Sequence, residues 1–114
     1  MQLPTAVDAL SALANGSRLA VFRLLVRAGD DGVAAGEIAR EIGVLPSTLS
    51  SHLTVLDHAG LIRSRRAGRY LIYAANHDRM RDLIGFLIDD CCNGRPERCL
   101  PVMRDGGVAK DAVA

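Results

Sequence analysis

The feature that most narrows what this chain can fold into is a change of apolar period near residue 60. Before it, apolar residues recur at helical spacing in two short runs: Ala35, Ile38, Ala39 and Ile42, then Leu49, Leu53 and Leu56. Gly43 separates the runs, and Pro46 suits the first turn of the second. The spacing predicts one helix from about Ala34 to Ile42 and another from Pro46 to Ala59-Gly60, where glycine supplies the cap. After Gly60 the period shortens. Leu61-Ile62-Arg63-Ser64-Arg65 and Arg69-Tyr70-Leu71-Ile72-Tyr73 read as two strands, with a hairpin turn at Arg66-Ala67-Gly68. Two short helices joined by a tight glycine turn make a helix-turn-helix, here followed by a β-hairpin.

The flanking segments are helical as well. Thr5-Ala-Val-Asp8 fits a helix start with Thr5 as cap and Asp8 in the first turn, and Val7, Leu10 and Leu13 follow at helical spacing. Asn15-Gly16 ends that helix, and Asn15 can cap the next, in which Leu19, Phe22, Leu25 and Val26 form a stripe. Val21 and Leu24 add apolar surface, so this second helix is expected to be buried on most sides. Residues 28–32 form a loop. A fifth helix is predicted from about His77 to Cys91, with Leu83, Phe86, Leu87 and Ile84 on its apolar face and Gly94 and Pro96 ending it. Aromatic residues make up 4% of the chain and Trp is absent, so the core must come from Leu, Ile, Val and Ala. The expected fold is mainly α with a small β-hairpin wing. Residues 1–92 form the globular unit, 91–103 a cysteine-bearing segment and 104–114 a mobile tail with little to bury.

The second helix of the pair has two distinct faces. Leu49, Leu53 and Leu56 point inward, whereas Ser47, Ser51, Thr54 and His58 line another face, with Ser50 beside it. Small hydroxyl side chains allow close approach to base edges, and a helix so placed usually lies in the DNA major groove. His52 can donate to a phosphate or a base. Such a face on its own also suits an ordinary solvent-exposed helix. The hairpin tips the balance: Arg63, Arg65, Arg66 and Arg69 fall within seven residues, which suits a wing that follows phosphates or enters the minor groove. A charged strand that resists aggregation would look the same and is compatible with that role. The formal net charge of +1 carries no such information, because it is the distribution of charge that matters.

At these residues the chain resembles the ArsR-type family of metal- and metalloid-responsive winged helix-turn-helix repressors. Leu13-Ala-Asn-Gly-Ser-Arg-Leu19 looks like the family's entry to its second helix. Ser47-Thr48-Leu-Ser50-Ser-His52-Leu53, followed by Leu56 and Ala59-Gly60-Leu61-Ile62, looks like its recognition helix. Arg65-Arg66-Ala-Gly68-Arg69 followed by Tyr73 looks like its wing. The likeness covers roughly residues 5–92. It implies a homodimer paired through the first and last helices, a double-stranded DNA operator read by Ser47, Thr48, Ser50, Ser51, His52 and Thr54 with the wing arginines, and release of DNA by an inducer. Leu45 departs from the pattern, since the family often places a polar cap there; the loss costs up to about 1 kcal/mol of local helix stability.

Cys91, Cys92 and Cys99 fall within nine residues of one another. Clustered thiols in a reducing compartment point to ligand binding or redox chemistry rather than to structural disulfides. Trivalent arsenic and antimony bind three sulfurs in a pyramid, so three thiols complete such a site. Zinc wants a fourth ligand, which Asp89, Asp90, His77 or a water can supply, so zinc and cadmium stay open. Adjacent helical residues point ~100° apart. Convergence of Cys91 and Cys92 on one atom therefore requires the helix end to loosen. The segment from Cys91 to Cys99 also looks like the C-terminal arsenic site of one branch of the family. The branch with cysteines in the third helix is not matched, because residues 33–42 contain none, and the paired histidines of the family's fifth-helix zinc site are missing.

Two other classes are weighed against a ligand-released repressor. A thiol enzyme needs a nucleophile activated at a helix N-terminus or beside a cation, and these cysteines follow a helix C-terminus. A constitutive DNA-binding protein with incidental cysteines differs from the repressor only in its response to ligand. No catalytic cofactor is expected. No run approaches the ~18 apolar residues of a membrane span, and the N-terminus lacks the basic and apolar regions of a secretion signal, so a cytoplasmic chain without a membrane partner is the expectation.

Overall fold

The computed structural model describes residues 1–89. The three cysteines, Asp90 and the segments beginning at residues 91 and 104 lie outside the described residues. In order the elements are α1 (Leu3–Leu13), α2 (Gly16–Ala28), a 3₁₀ turn (Gly29–Asp31), β1 (Val33–Ala34), α3 (Ala35–Ile42), α4 (Pro46–His58), β2 (Ile62–Ala67), β3 (Tyr70–Ala75) and α5 (His77–Ile88). The three strands form an antiparallel sheet in the order β1-β3-β2. No single described helix is long and apolar enough to cross a membrane.

α1 starts before Thr5. Gln2 is the extended residue at its head and Pro4 sits in the first turn, where its missing N–H would be unpaired in any case. Thr5 is therefore inside the helix and does not cap it, and Asp8 lies beyond the first turn. The face of α1 that packs is made of alanines: Ala6, Ala9 and Ala12 are buried, while Val7 and Leu10 remain 50% and 41% exposed. Small side chains let α1 lie close against the core, which Leu13 also joins, while Leu3, Val7 and Leu10 point away from it.

Asn15 caps α2 as expected, its Oδ1 accepting from the Arg18 backbone N–H at 3.0 Å. The buried residues of α2 are Val21, Phe22 and Leu25, whereas Leu19 is 43% exposed. At ~100° per residue, Leu19 points roughly 110° away from the centre of the buried three, on a narrow exposed strip with Arg23 and Arg27. Leu24 and Val26 pack half-buried against the core, so the helix is covered on most sides as expected, with Leu19 the exception.

β1 went unforeseen. Two residues carry no readable period, and this strand exists only because Val33 and Ala34 pair with Tyr73 and Ile72 of β3. Gly32 makes the approach possible, since a Cβ there would lie 2.6 Å from the Tyr73 carbonyl oxygen. The hairpin is longer than expected. Arg66 and Ala67 belong to β2, and the Ala67–Tyr70 pairing leaves only Gly68-Arg69 as the turn.

The stripe Leu49, Leu53 and Leu56 of α4 is buried as expected. The helix closes in a Schellman motif: the Leu61 N–H donates to the Leu56 carbonyl at 3.0 Å, and the Gly60 N–H to that of Asp57 at 2.9 Å. Gly60 takes the left-handed φ of +76° that this closure needs, and the apolar contact that accompanies it is between Leu56 and Leu61, both fully buried. Together with Val21, Leu25 and Ile38 they centre one core that joins all five helices to the inner face of the sheet. Leu45 makes no side-chain cap, as its type predicts.

α5 is capped by Asn76 and ends earlier than expected. Asp89 turns out of the helix with ψ of 134°, so the helix stops at Ile88 and does not run to Cys91. Leu83 is buried, Phe86 half-buried and Leu87 54% exposed.

Candidate nucleic-acid interface

α3 and α4 pack through Ile38, Ala39, Leu49 and Leu53, and this leaves the opposite side of α4 free. Ser47, Thr48, Ser50, Ser51, Thr54 and His58 are all exposed there. The Thr54 hydroxyl donates to the Ser50 carbonyl at 3.0 Å, so toward a ligand it acts as an acceptor. His52 sits at the shoulder of the helix, half-buried, with Nδ1 3.5 Å from Arg18 Nη1. Arg18 also donates from Nε to the Ala12 carbonyl at 2.6 Å and from Nη2 to that of Ser11 at 3.4 Å. Arginine carries donors only, so His52 Nδ1 is the acceptor side of this contact and Nε2 is left to face a ligand. Arg18 thus joins the last carbonyls of α1 to the exposed helix. Nothing in the spacing of residues 12, 18 and 52 announces this link in the sequence.

The four hairpin arginines divide into two kinds. Strand register puts Arg63 and Arg65 on the outer face of the sheet, opposite Ala74 and Ile72. Arg63 Nη2 donates to Asn76 Oδ1 at 2.9 Å and lies 3.7 Å from the Asp78 carboxylate. Arg65 Nη2 donates to the Asp31 carbonyl at 2.9 Å. Both are tied back to the body of the domain. Arg66 and Arg69 are exposed at the far end of the hairpin, with no hydrogen bond or ion pair among the described residues. Tyr70, beside them, is 65% exposed. A large aromatic ring beside two unpaired guanidiniums can pack on a sugar or in a groove, and its place next to the turn was the signal that could have singled it out.

Among the described residues no group of three or more His, Cys, Asp or Glu side chains is arranged to hold a metal ion. His77 opens α5 and Asp89 follows its end, about 18 Å away at 1.5 Å per residue. These two candidate fourth ligands cannot serve the same centre.

A family model described as a helix-turn-helix domain matches residues 13–65, which run from the end of α1 through α4 into β2. The nodulation protein NolR of Rhizobium meliloti is 34% identical over 80 residues, covering 70% of this chain and 63% of its own length. The HTH-type transcriptional regulator YgaV of Escherichia coli is 30% identical over 83 residues, covering 73% of this chain and 82% of its own. A putative arsenical resistance operon repressor of Halobacterium salinarum is 34% identical over 71 residues, covering 62% of this chain and 59% of its own. Among solved structures, NolR of Sinorhizobium fredii superposes with a TM-score of 0.62 at 31% identity, covering 77% of this chain and 85% of that one. The homodimeric winged helix-turn-helix DNA-binding domain of a possible ArsR-family regulator from Mycobacterium bovis gives 0.64 at 31%, covering 77% and 82%. YgaV and the M. bovis domain are named as transcriptional regulators and the H. salinarum relative as a repressor. With the exposed face of α4, the hairpin beside it and this similarity over most of the fold, the chain belongs to the ArsR/SmtB family of DNA-binding winged helix-turn-helix transcriptional regulators.

Proposed function

We propose that the chain is a cytoplasmic repressor that binds a partly palindromic operator as a homodimer and lets go when trivalent arsenic, or antimony, is bound by Cys91, Cys92 and Cys99. The observation that carries the ligand is the set of three thiols within nine residues, beginning just after Asp89 leaves α5. Three soft donors match the coordination number of trivalent arsenic without a fourth group. The H. salinarum relative is named for arsenical resistance, which agrees with this reading.

Dimerisation is supported by the apolar surface left uncovered on α1 and α5, which contact each other. Leu3, Val7 and Leu10 on α1 and Leu87 on α5 are 63%, 50%, 41% and 54% exposed. A second copy would cover this surface, and the M. bovis domain to which the fold is similar is homodimeric. DNA contact falls to Ser47, Thr48, Ser50, Ser51 and Thr54 for bases, His52 through Nε2, and Arg66 and Arg69 for phosphates. Arg63 and Arg65 serve mainly to hold the hairpin.

α5 is the route from ligand to DNA, since it ends beside the cysteine segment and starts at the base of the hairpin. Moving a population from mostly bound to mostly released takes a differential affinity of about 10⁴, or about 5.5 kcal/mol. Three sulfur bonds can supply that. The test is fluorescence anisotropy of labelled operator under reducing conditions, with arsenite added to wild type and to the Cys91→Ser/Cys92→Ser/Cys99→Ser variant. Wild type should release and the variant should stay bound. Full release from the variant places the sensor elsewhere, and release of wild type by zinc, cadmium or an oxidant but not by arsenite replaces the inducer.

A further inference from the structure

One side chain that the DNA-binding reading does not use touches three of the elements that reading depends on. Asn76 Oδ1 accepts from the Arg79 backbone N–H at 3.3 Å, which caps α5. The same oxygen accepts from Arg63 Nη2 on β2 at 2.9 Å. Asn76 Nδ2 donates to the Gly60 carbonyl at 2.9 Å, in the Schellman turn that closes α4. Its backbone N–H donates to the Leu61 carbonyl at 2.8 Å. The Arg79 guanidinium lies over Gly60 from the other side, 2.9 Å from where a Cβ would stand. The start of α5 is therefore fastened to the end of the exposed helix and to the root of the hairpin at a single point.

We infer that Asn76 is a positioning residue for DNA binding: it sets the angle of the hairpin and of α4 relative to α5 without touching DNA itself. The chemistry requires an amide. A carboxylate of the same shape keeps both acceptor roles, as cap and as partner of Arg63, and strengthens them by its charge. It has no donor for Gly60, and it sets one oxygen against another there. Asp in place of Asn thus keeps the helix cap, the hairpin anchor and the backbone bond to Leu61 while cutting the one side-chain bond to the α4 turn.

This inference rests on the DNA-binding reading, and the experiment separates the two. The probe is a labelled duplex selected by the wild-type chain from a random pool of about 30 base pairs, long enough for two half-sites one helical turn apart. If wild type selects nothing, the DNA reading fails. If it does, Asn76→Asp should weaken binding about tenfold, the scale of one lost hydrogen bond. Its melting temperature should fall by about 4–8 °C, the scale of that one lost hydrogen bond in a domain of this size, with its helical signal kept, because the cap and the Arg63 contact survive. The dependence of affinity on salt should keep its slope, since no phosphate contact is removed. Asn76→Ser, which can cap but is too short to span to Gly60 and Arg63, should lose at least as much affinity. Binding within twofold of wild type by Asn76→Asp overturns the inference, and so does a shallower salt slope, which would place Asn76 on the DNA. If Asn76→Asp does not fold, Asn76→Ser is judged by the same criteria; loss of helical signal in both makes Asn76 a stability residue and overturns the positioning role.

Discussion

The division of the hairpin arginines makes a quantitative prediction. Each phosphate neutralised by a protein cation contributes a slope of about −0.9 to the logarithm of the binding constant against the logarithm of salt concentration. Arg66 and Arg69 are the hairpin cations without a partner among the described residues, and a dimer carries two hairpins. Arg69→Ala should remove two contacts and flatten the slope by about 1.8, and Arg66→Ala with Arg69→Ala by about 3.6. Between about 50 and about 200 mM salt, wild-type affinity should then fall about 12-fold more than that of the single variant, and about 150-fold more than that of the double. Arg63 and Arg65 already spend donors on Asn76 and on the Asp31 carbonyl. Arg63→Ala with Arg65→Ala should lower affinity through a looser hairpin and leave the slope near its wild-type value. The assay is anisotropy of labelled operator over a series of salt concentrations for all four proteins. Equal flattening by the two double variants would refute the division, and an unchanged slope in the Arg66/Arg69 variant would remove the hairpin tip from the interface.

Other outcomes follow from packing and from the thiols. Val7→Asp with Leu10→Asp places two charges on the exposed face of α1 without disturbing Ala6, Ala9 or Ala12. Ultracentrifugation at micromolar concentration should show wild type near twice the 12.2 kDa chain mass and the variant near one chain mass, and a wild-type monomer that binds operator tightly counts against the dimer. Leu56→Ala empties a site of 0% exposure at the Schellman turn, and urea unfolding should show a loss of about 2–5 kcal/mol; a loss under about 1 kcal/mol means the core can collapse around the gap. Single Cys→Ser changes at 91, 92 or 99 should leave DNA affinity intact and blunt release by arsenite, as titration of each bound complex will show.

Features that depend on neighbours along the chain are legible without the fold. Asn15 caps α2 because its side chain need reach only three residues on. Leu49, Leu53 and Leu56 are buried together because helical spacing puts them on one face. Gly60 ends α4 because few other residues accept its φ. The Ser and Thr face of α4 and the arginine cluster were legible for the same reason, since helix period and strand alternation are local. Tertiary structure decided the rest. α1 carries both an alanine face and a Val7/Leu10 face at helical spacing, and only packing against the core selects the alanines. β1 is two residues that become a strand when β3 lies alongside. Four arginines are chemically alike in sequence, yet Arg63 finds Asn76 thirteen residues on and Arg65 finds the Asp31 carbonyl thirty-four residues back. Such contacts depend on where separate elements come to rest, so no period records them, and they tie Arg63 and Arg65 to the body of the domain while Arg66 and Arg69 have no partner among the described residues.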